Sequence, residues 1–269
     1  MSTPSNGSRV LDPDDQIDGE IGADASDDRT RMGFLDHLDE LRKRILYSVY
    51  AVAATCVFTF YFWDTMFVYL ANYFQAQGGQ LIYSQPMGAF MFSLKVGALS
   101  GLLVASPFVF TQVWLFVAPG LYAREKRLVI PFVFFSSLLF GAGAAFAHFV
   151  AFPAMWKFFA SYNGLGNIKF MPTMDDTFSF YVGVILGLGL VFQMPLLVFV
   201  LSRFGMVTWR FLVKHFKYAV LAIVVIAAVI TPSADVMTQM VFAAPMLVLY
   251  IISIFVAMIF GRRKRASEE

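Results

Sequence analysis

Two acidic side chains set among cations have the residue type and spacing that suit recognition chemistry. Glu125 sits in "LYAREKRL" (121–128), where the other charges, Arg124, Lys126 and Arg127, are all positive. Glu40 sits in "MGFLDHLDELRKR" (32–44), with Asp36 and Asp39 before it and Arg42, Lys43 and Arg44 after it. On one reading each acid only compensates nearby positive charge, which is worth a few tenths of a kcal/mol at an exposed site. On the other, the two acids form a recessed site for a cationic ligand such as a guanidinium, which a carboxylate meets with two parallel hydrogen bonds.

Covalent or metal chemistry has no comparable signature. The chain contains no HExxH, no GxSxG (residues 97–101 read "GALSG") and no Gly-Lys-Ser/Thr phosphate loop. His37, His148 and His215 lie far apart without local partners at ligand spacing. His148 alone falls inside an apolar run, and its expected role is that of a hydrogen-bonded structural histidine. No acid lies deep in an apolar run, which argues against a proton- or sodium-coupled transporter. Gln193, in "VFQMP", is the strongly polar group deepest in such a run. Its amide must bond either to another helix of the same chain or to a polar residue of a partner protein. These residues predict no enzyme, no metal, no cofactor and no nucleic-acid partner.

The elements that must position these residues follow from composition. Of 269 residues 59% are hydrophobic and 14% charged, with mean hydropathy +0.69, too little polar surface to cover a soluble globule. The stretches between charges run from Arg44 to Asp64, Lys95 to Arg124, Arg127 to Lys157, Asp176 to Arg203, Lys217 to Asp235 and Asp235 to Arg262, which predicts six transmembrane helices. "TMFVYLANYF" is too short to span and is expected as an interfacial helix in an outer loop. Lys95 is expected to snorkel from the second span. Pro107, Pro131, Pro195 and Pro245 predict kinked helices and a curved, non-cylindrical bundle. The fifth span is short, Gly97/Gly101 and Gly183/Gly187 are expected to serve close helix packing, and the four tryptophans are expected in interfacial belts.

The resulting fold class is an all-α integral membrane protein. Its expected organisation is an acidic disordered tail (1–31) without a cleavable signal, an amphipathic surface helix (32–44), a six-helix membrane domain (45–261) and a charged tail (262–269). With six spans, 17 of the 20 basic residues fall on the side of both termini, which predicts that both ends are cytoplasmic. Asp175 and Asp176 are candidate helix N-caps, as is Asp235.

"LDHLDELRKR", "SPFVFTQVWLFVAPGLYAREKR", "RLVIPFVFFSSLLFGAGAAFAHFVAFP", "FQMP" and "ITPSADVMTQMVFAAPM" occur in this order, and together they resemble the TatC family, the multi-spanning receptor subunit of the twin-arginine protein translocase. The resemblance covers about residues 33–260. It implies a cytoplasmic inner-membrane receptor that binds twin-arginine signal peptides of folded precursors. Glu125 would be the principal acidic contact, Glu40 would contribute, Phe116 would shape the site, and Arg42 belongs to the same signature. Gln193, Thr231 and Gln239 match the family's partner-docking region, although many members carry glutamate in place of Gln193. The implied partners are the single-span proteins TatA and TatB, further copies of the chain and the lipid bilayer, with transport driven by the proton-motive force. A small-solute secondary transporter is the alternative, and it would require an inverted repeat and a midplane site.

Overall fold

In the computed structural model, residues 13–77, 81–83, 86–117, 129–161, 171–230 and 236–260 are described. The chain divides into two compact units, Met1–Tyr47 and Ser48–Glu269. Among the described residues the structure is helical, with one isolated parallel bridge between Ile82 and Thr173. The helices are α1 (Pro13–Phe60), α2 (Trp63–Ala76), α3 (Gly88–Val117), α4 (Val129–Phe146), α5 (Phe152–Ser161), α6 (Met174–Val191), α7 (Met194–Arg203), α8 (Trp209–Lys214), α9 (Phe216–Ile230) and α10 (Val236–Phe260). A π-helical turn, Ala147–Ala151, joins α4 to α5.

Among the described residues four stretches are long and apolar enough to cross a membrane: Gly88–Val117, Ile130–Ser161, Met174–Arg203 and Gln239–Phe260. A fifth candidate is the pair His37–Phe60 and Trp63–Ala76, bent by 79°. α9 is apolar but has 15 residues, about 22 Å against a hydrocarbon core of about 30 Å. Within the described residues each of the six apolar runs is largely helical; the first counts as a candidate span only together with α2, and α9 is too short to count as one. α2 forms the helix expected in the first loop and buries Leu70 and Phe74.

Irregularity follows proline, though not at every proposed position. Pro107 and Pro245 lie inside α3 and α10. Pro195 stands at the start of α7, where its ring would clash with the carbonyl four residues back, and the α6–α7 break falls at Phe192–Gln193. Pro131 lies in the first turn of α4, where a missing N–H costs nothing, so it does not kink that helix. Instead the π turn lies immediately before Pro153, in the second position of α5.

Small residues let helices approach. A Cβ on Gly101 would lie 2.7 Å from the Cys56 backbone, and one on Gly97 3.4 Å from the Phe60 ring. Along this seam Thr55 Oγ1 donates to the Gly101 carbonyl and Thr59 Oγ1 to the Gly97 carbonyl, both at 2.8 Å. Two threonines four apart thus face two glycines four apart across antiparallel helices, as close packing in lipid favours. Gly183 has open space around it, whereas a Cβ on Gly143 would lie 2.8 Å from the Leu188 carbonyl, so α4 and α6 meet at Gly143 instead.

Two of the tryptophans expected in belts belong to the interior. Trp114 stacks on Phe132 with centroids 4.7 Å apart and donates to Ser136 Oγ at 2.7 Å; Trp156 packs against Phe74 and Phe152. Each sits near a helix end where neighbouring helices, rather than headgroups, enclose the indole. Trp63 and Trp209 stay exposed.

Candidate functional site

In the first unit, the α1 segment 39–47 presents the acids and bases singled out in the sequence. Glu40 and Arg44 lie one helical turn apart, and Arg44 Nη2 donates to Glu40 Oε1 at 3.2 Å. Asp39, Glu40, Lys43, Arg44 and Tyr47 line a surface hollow of about 430 Å³. Arg42 is exposed. The Glu40 and Arg44 side chains are about one-third exposed, so their ion pair is water-screened and worth less than about 1 kcal/mol. Glu125 and Thr231 lie outside the described residues.

In the second unit, Phe116 occupies the last turn of α3 and is half-buried. Gln193 sits at the α6–α7 break and is buried; its Nε2 donates to the Ser136 carbonyl at 2.9 Å. Since Ser136 Oγ also accepts from Trp114, one α4 residue ties together α3, α4 and the break. This is the intrachain bonding that the sequence offered for Gln193 as one of two alternatives. Gln239, near the start of α10, donates from Nε2 to the Val224 carbonyl of α9 at 3.0 Å and remains partly exposed.

Other polar groups tie the helix ends. His148, in the π turn, bonds through Nδ1 to Tyr181 Oη at 2.7 Å and through Nε2 to Tyr69 Oη at 3.1 Å. Tyr73 donates to the His148 carbonyl, and its ring stacks on the imidazole. A neutral imidazole offers one donor and one acceptor, which two hydroxyls satisfy in complementary senses. His148 thus has the structural role expected for it, and it links α2, the π turn and α6. Its tyrosine partners lie 33 and 79 positions away on other helices, so no local spacing marks them.

Lys95 does not snorkel freely. Its Nζ lies 2.6 Å from Asp175 Oδ1 and 3.1 Å from Ser179 Oγ, because the first turns of α6 stand beside it. Thr173, rather than Asp175 or Asp176, caps α6, its Oγ1 accepting from the Asp176 N–H at 3.1 Å. The two acids occupy the first turn, where the helix dipole favours them.

The described residues hold no group of three or more His, Cys, Asp or Glu suited to a metal. Their buried polar side chains include no carboxylate. What these features define is a multi-pass helical membrane protein whose interior polar groups join helix to helix. Residues 36–245 match the family model described as "Sec-independent protein translocase protein (TatC)". The TatC protein of Koribacter versatilis is 40% identical over 94% of this chain and 96% of its own length. The chloroplastic TATC of Arabidopsis thaliana is 38% identical over 87% of this chain and 69% of its own. A crystal structure of the twin-arginine translocase receptor TatC superposes with TM-score 0.72 and 34% identity, covering 84% of this chain and all of that one. This chain belongs to the TatC family, and it is a core subunit of the Sec-independent protein translocase rather than an enzyme.

Proposed function

We propose that the chain recognises twin-arginine signal peptides of folded precursors on the cytoplasmic face of the inner membrane. Glu125 is the principal carboxylate, Glu40 the second, Phe116 an apolar wall, and Arg42 belongs to the same signature. The observation that carries this reading is the Glu40–Arg44 pair. It is a carboxylate already meeting a guanidinium through a weak contact, so an incoming arginine can replace Arg44 at small cost. Arginine is preferred to lysine because its planar fork makes two parallel bonds to a carboxylate. The basic neighbours of Glu125 hold the loop against anionic headgroups, leaving the acid selective for cations.

In this reading six helices cross the bilayer with both termini inside. TatA- and TatB-type single-span proteins dock near Gln193, Thr231 and Gln239, further copies of the chain assemble with them, and the proton-motive force drives transport. The clustering of basic residues on one side supports that orientation. Support for docking at Gln239 comes from its exposure beside a short helix; Gln193 has its amide engaged by Ser136, so a partner there would compete with that bond.

Photocrosslinking of a twin-arginine signal peptide to the protein in membranes tests the site. Crosslinks near residue 125 are expected in wild type, falling by at least about tenfold in Glu125→Gln and with a twin-lysine peptide, since a charge-assisted bond is worth about 1.5–3 kcal/mol. Equal crosslinking under all three conditions would return Glu125 to the role of a loop counter-ion.

A further inference from the structure

Beyond the translocase role, the Lys95 end of the α3–α6 seam has the construction of a lipid site. Two hollows meet at this lysine. Above it a cavity of about 260 Å³ is lined by polar groups that include Thr173, Asp175, Asp176 and Tyr83. Below it an open groove of about 370 Å³ is walled by Ala98, Leu99, Leu102, Val182 and Leu186, with Ser179 at its head beside Lys95. α3 and α6 run in the same direction, so Lys95 to Leu102 and Ser179 to Leu186 each descend seven residues, about 10 Å at 1.5 Å per residue. The groove is therefore apolar over the depth of an upper acyl chain and is capped by charge at one end only.

We propose that this seam binds a phospholipid of the phosphatidylethanolamine class, with one acyl chain in the groove, the phosphate on Lys95 and the ammonium on Asp176. Charge selects the headgroup. Among the described residues lining the two hollows Lys95 is the single cation and Asp175 and Asp176 are both anions, a formal balance of −1 that disfavours an anionic lipid and suits a zwitterion carrying its own ammonium. Each group has capacity to spare. The ammonium of Lys95 has three donors, of which Asp175 and Ser179 take two, and its side chain is 40% exposed. Asp176 is exposed, with Oδ2 accepting from Thr173 Oγ1 at 2.6 Å and its other oxygen open to a second donor. Choline carries no N–H, so it cannot donate to Asp176 and is the weaker zwitterion here.

Native mass spectrometry of the purified full chain, titrated with phosphatidylethanolamine, phosphatidylcholine and phosphatidylglycerol of matched chains, tests the assignment. The expected order of retention is ethanolamine, then choline, then glycerol. Asp176→Asn should cut ethanolamine binding by about five- to tenfold and erase its advantage over choline. Ala98→Trp fills the groove while leaving every headgroup partner in place, and should lower binding of all three lipids. Thermal denaturation of each variant without lipid separates loss of a site from loss of fold. Equal retention of the three lipids by wild type, preference for phosphatidylglycerol, or indifference of a folded Ala98→Trp to every lipid overturns the proposal. So does a second copy of the chain occupying the seam, detected as a dimer that Ala98→Trp dissociates.

Discussion

At the residue scale, glycine is decided by what faces it. Gly101→Ala sets a methyl against Cys56 backbone, which cannot move aside as a flexible side chain would, and overpacking of this kind costs about 1–3 kcal/mol. Gly183→Ala meets open space and is expected to be neutral, or stabilising by up to about 1 kcal/mol, because alanine restricts the unfolded chain. Thermal unfolding in detergent should place Gly101→Ala below wild type and Gly183→Ala level with it or above. Gln193→Leu removes one buried donor and is expected to lower stability by about 1 kcal/mol. A melting temperature equal to wild type would show that the bond to Ser136 contributes nothing net.

At the element scale, α2 is held on the bundle end by a polar and aromatic cluster rather than by its own propensity. Its 14 residues are marginal as an isolated helix, and Tyr69, Tyr73 and Phe74 supply its anchors against His148, Phe152 and Tyr181. His148→Phe keeps a ring in the stack but loses both side-chain hydrogen bonds. It is expected to raise hydrogen exchange in α2 by about tenfold or more while leaving α4 and α6 protected, given about 1 kcal/mol per bond. Uniformly faster exchange across the protein would mean that His148 supports the whole bundle instead. The bridge at Ile82 adds a backbone tie, with the Met174 N–H donating to the Ile82 carbonyl at 2.9 Å.

At the scale of the whole molecule, topology is the property that charge determines and contacts do not. Reporter fusions after residue 78 and after residue 265 should report opposite sides of the membrane, and fusions at the two termini the same side. A result placing residue 265 outside would remove Glu40 and Glu125 from the compartment where precursors are made. Deleting residues 1–31 is expected to leave export nearly unchanged, with export of a folded twin-arginine reporter as the measurement.

The sequence by itself determined that this is a helical membrane protein and where its apolar segments lie. Those properties depend on hydrophobic length and on charge position, which are local and additive along the chain. Its five ordered motifs also carried the family, since they preserve residue identity over most of the membrane domain. Only the tertiary structure decided which polar side chains are engaged. Lys95 met Asp175, Gln193 met Ser136, His148 met two tyrosines, and two belt tryptophans became core residues. Each pairing joins residues separated by more than 20 positions, and in lipid a polar group takes whichever partner the packing brings within reach. Packing, in turn, is set by small residues and breaks such as Gly101, Gly143 and Pro153, whose effect depends on the helix opposite and cannot be read from one helix alone.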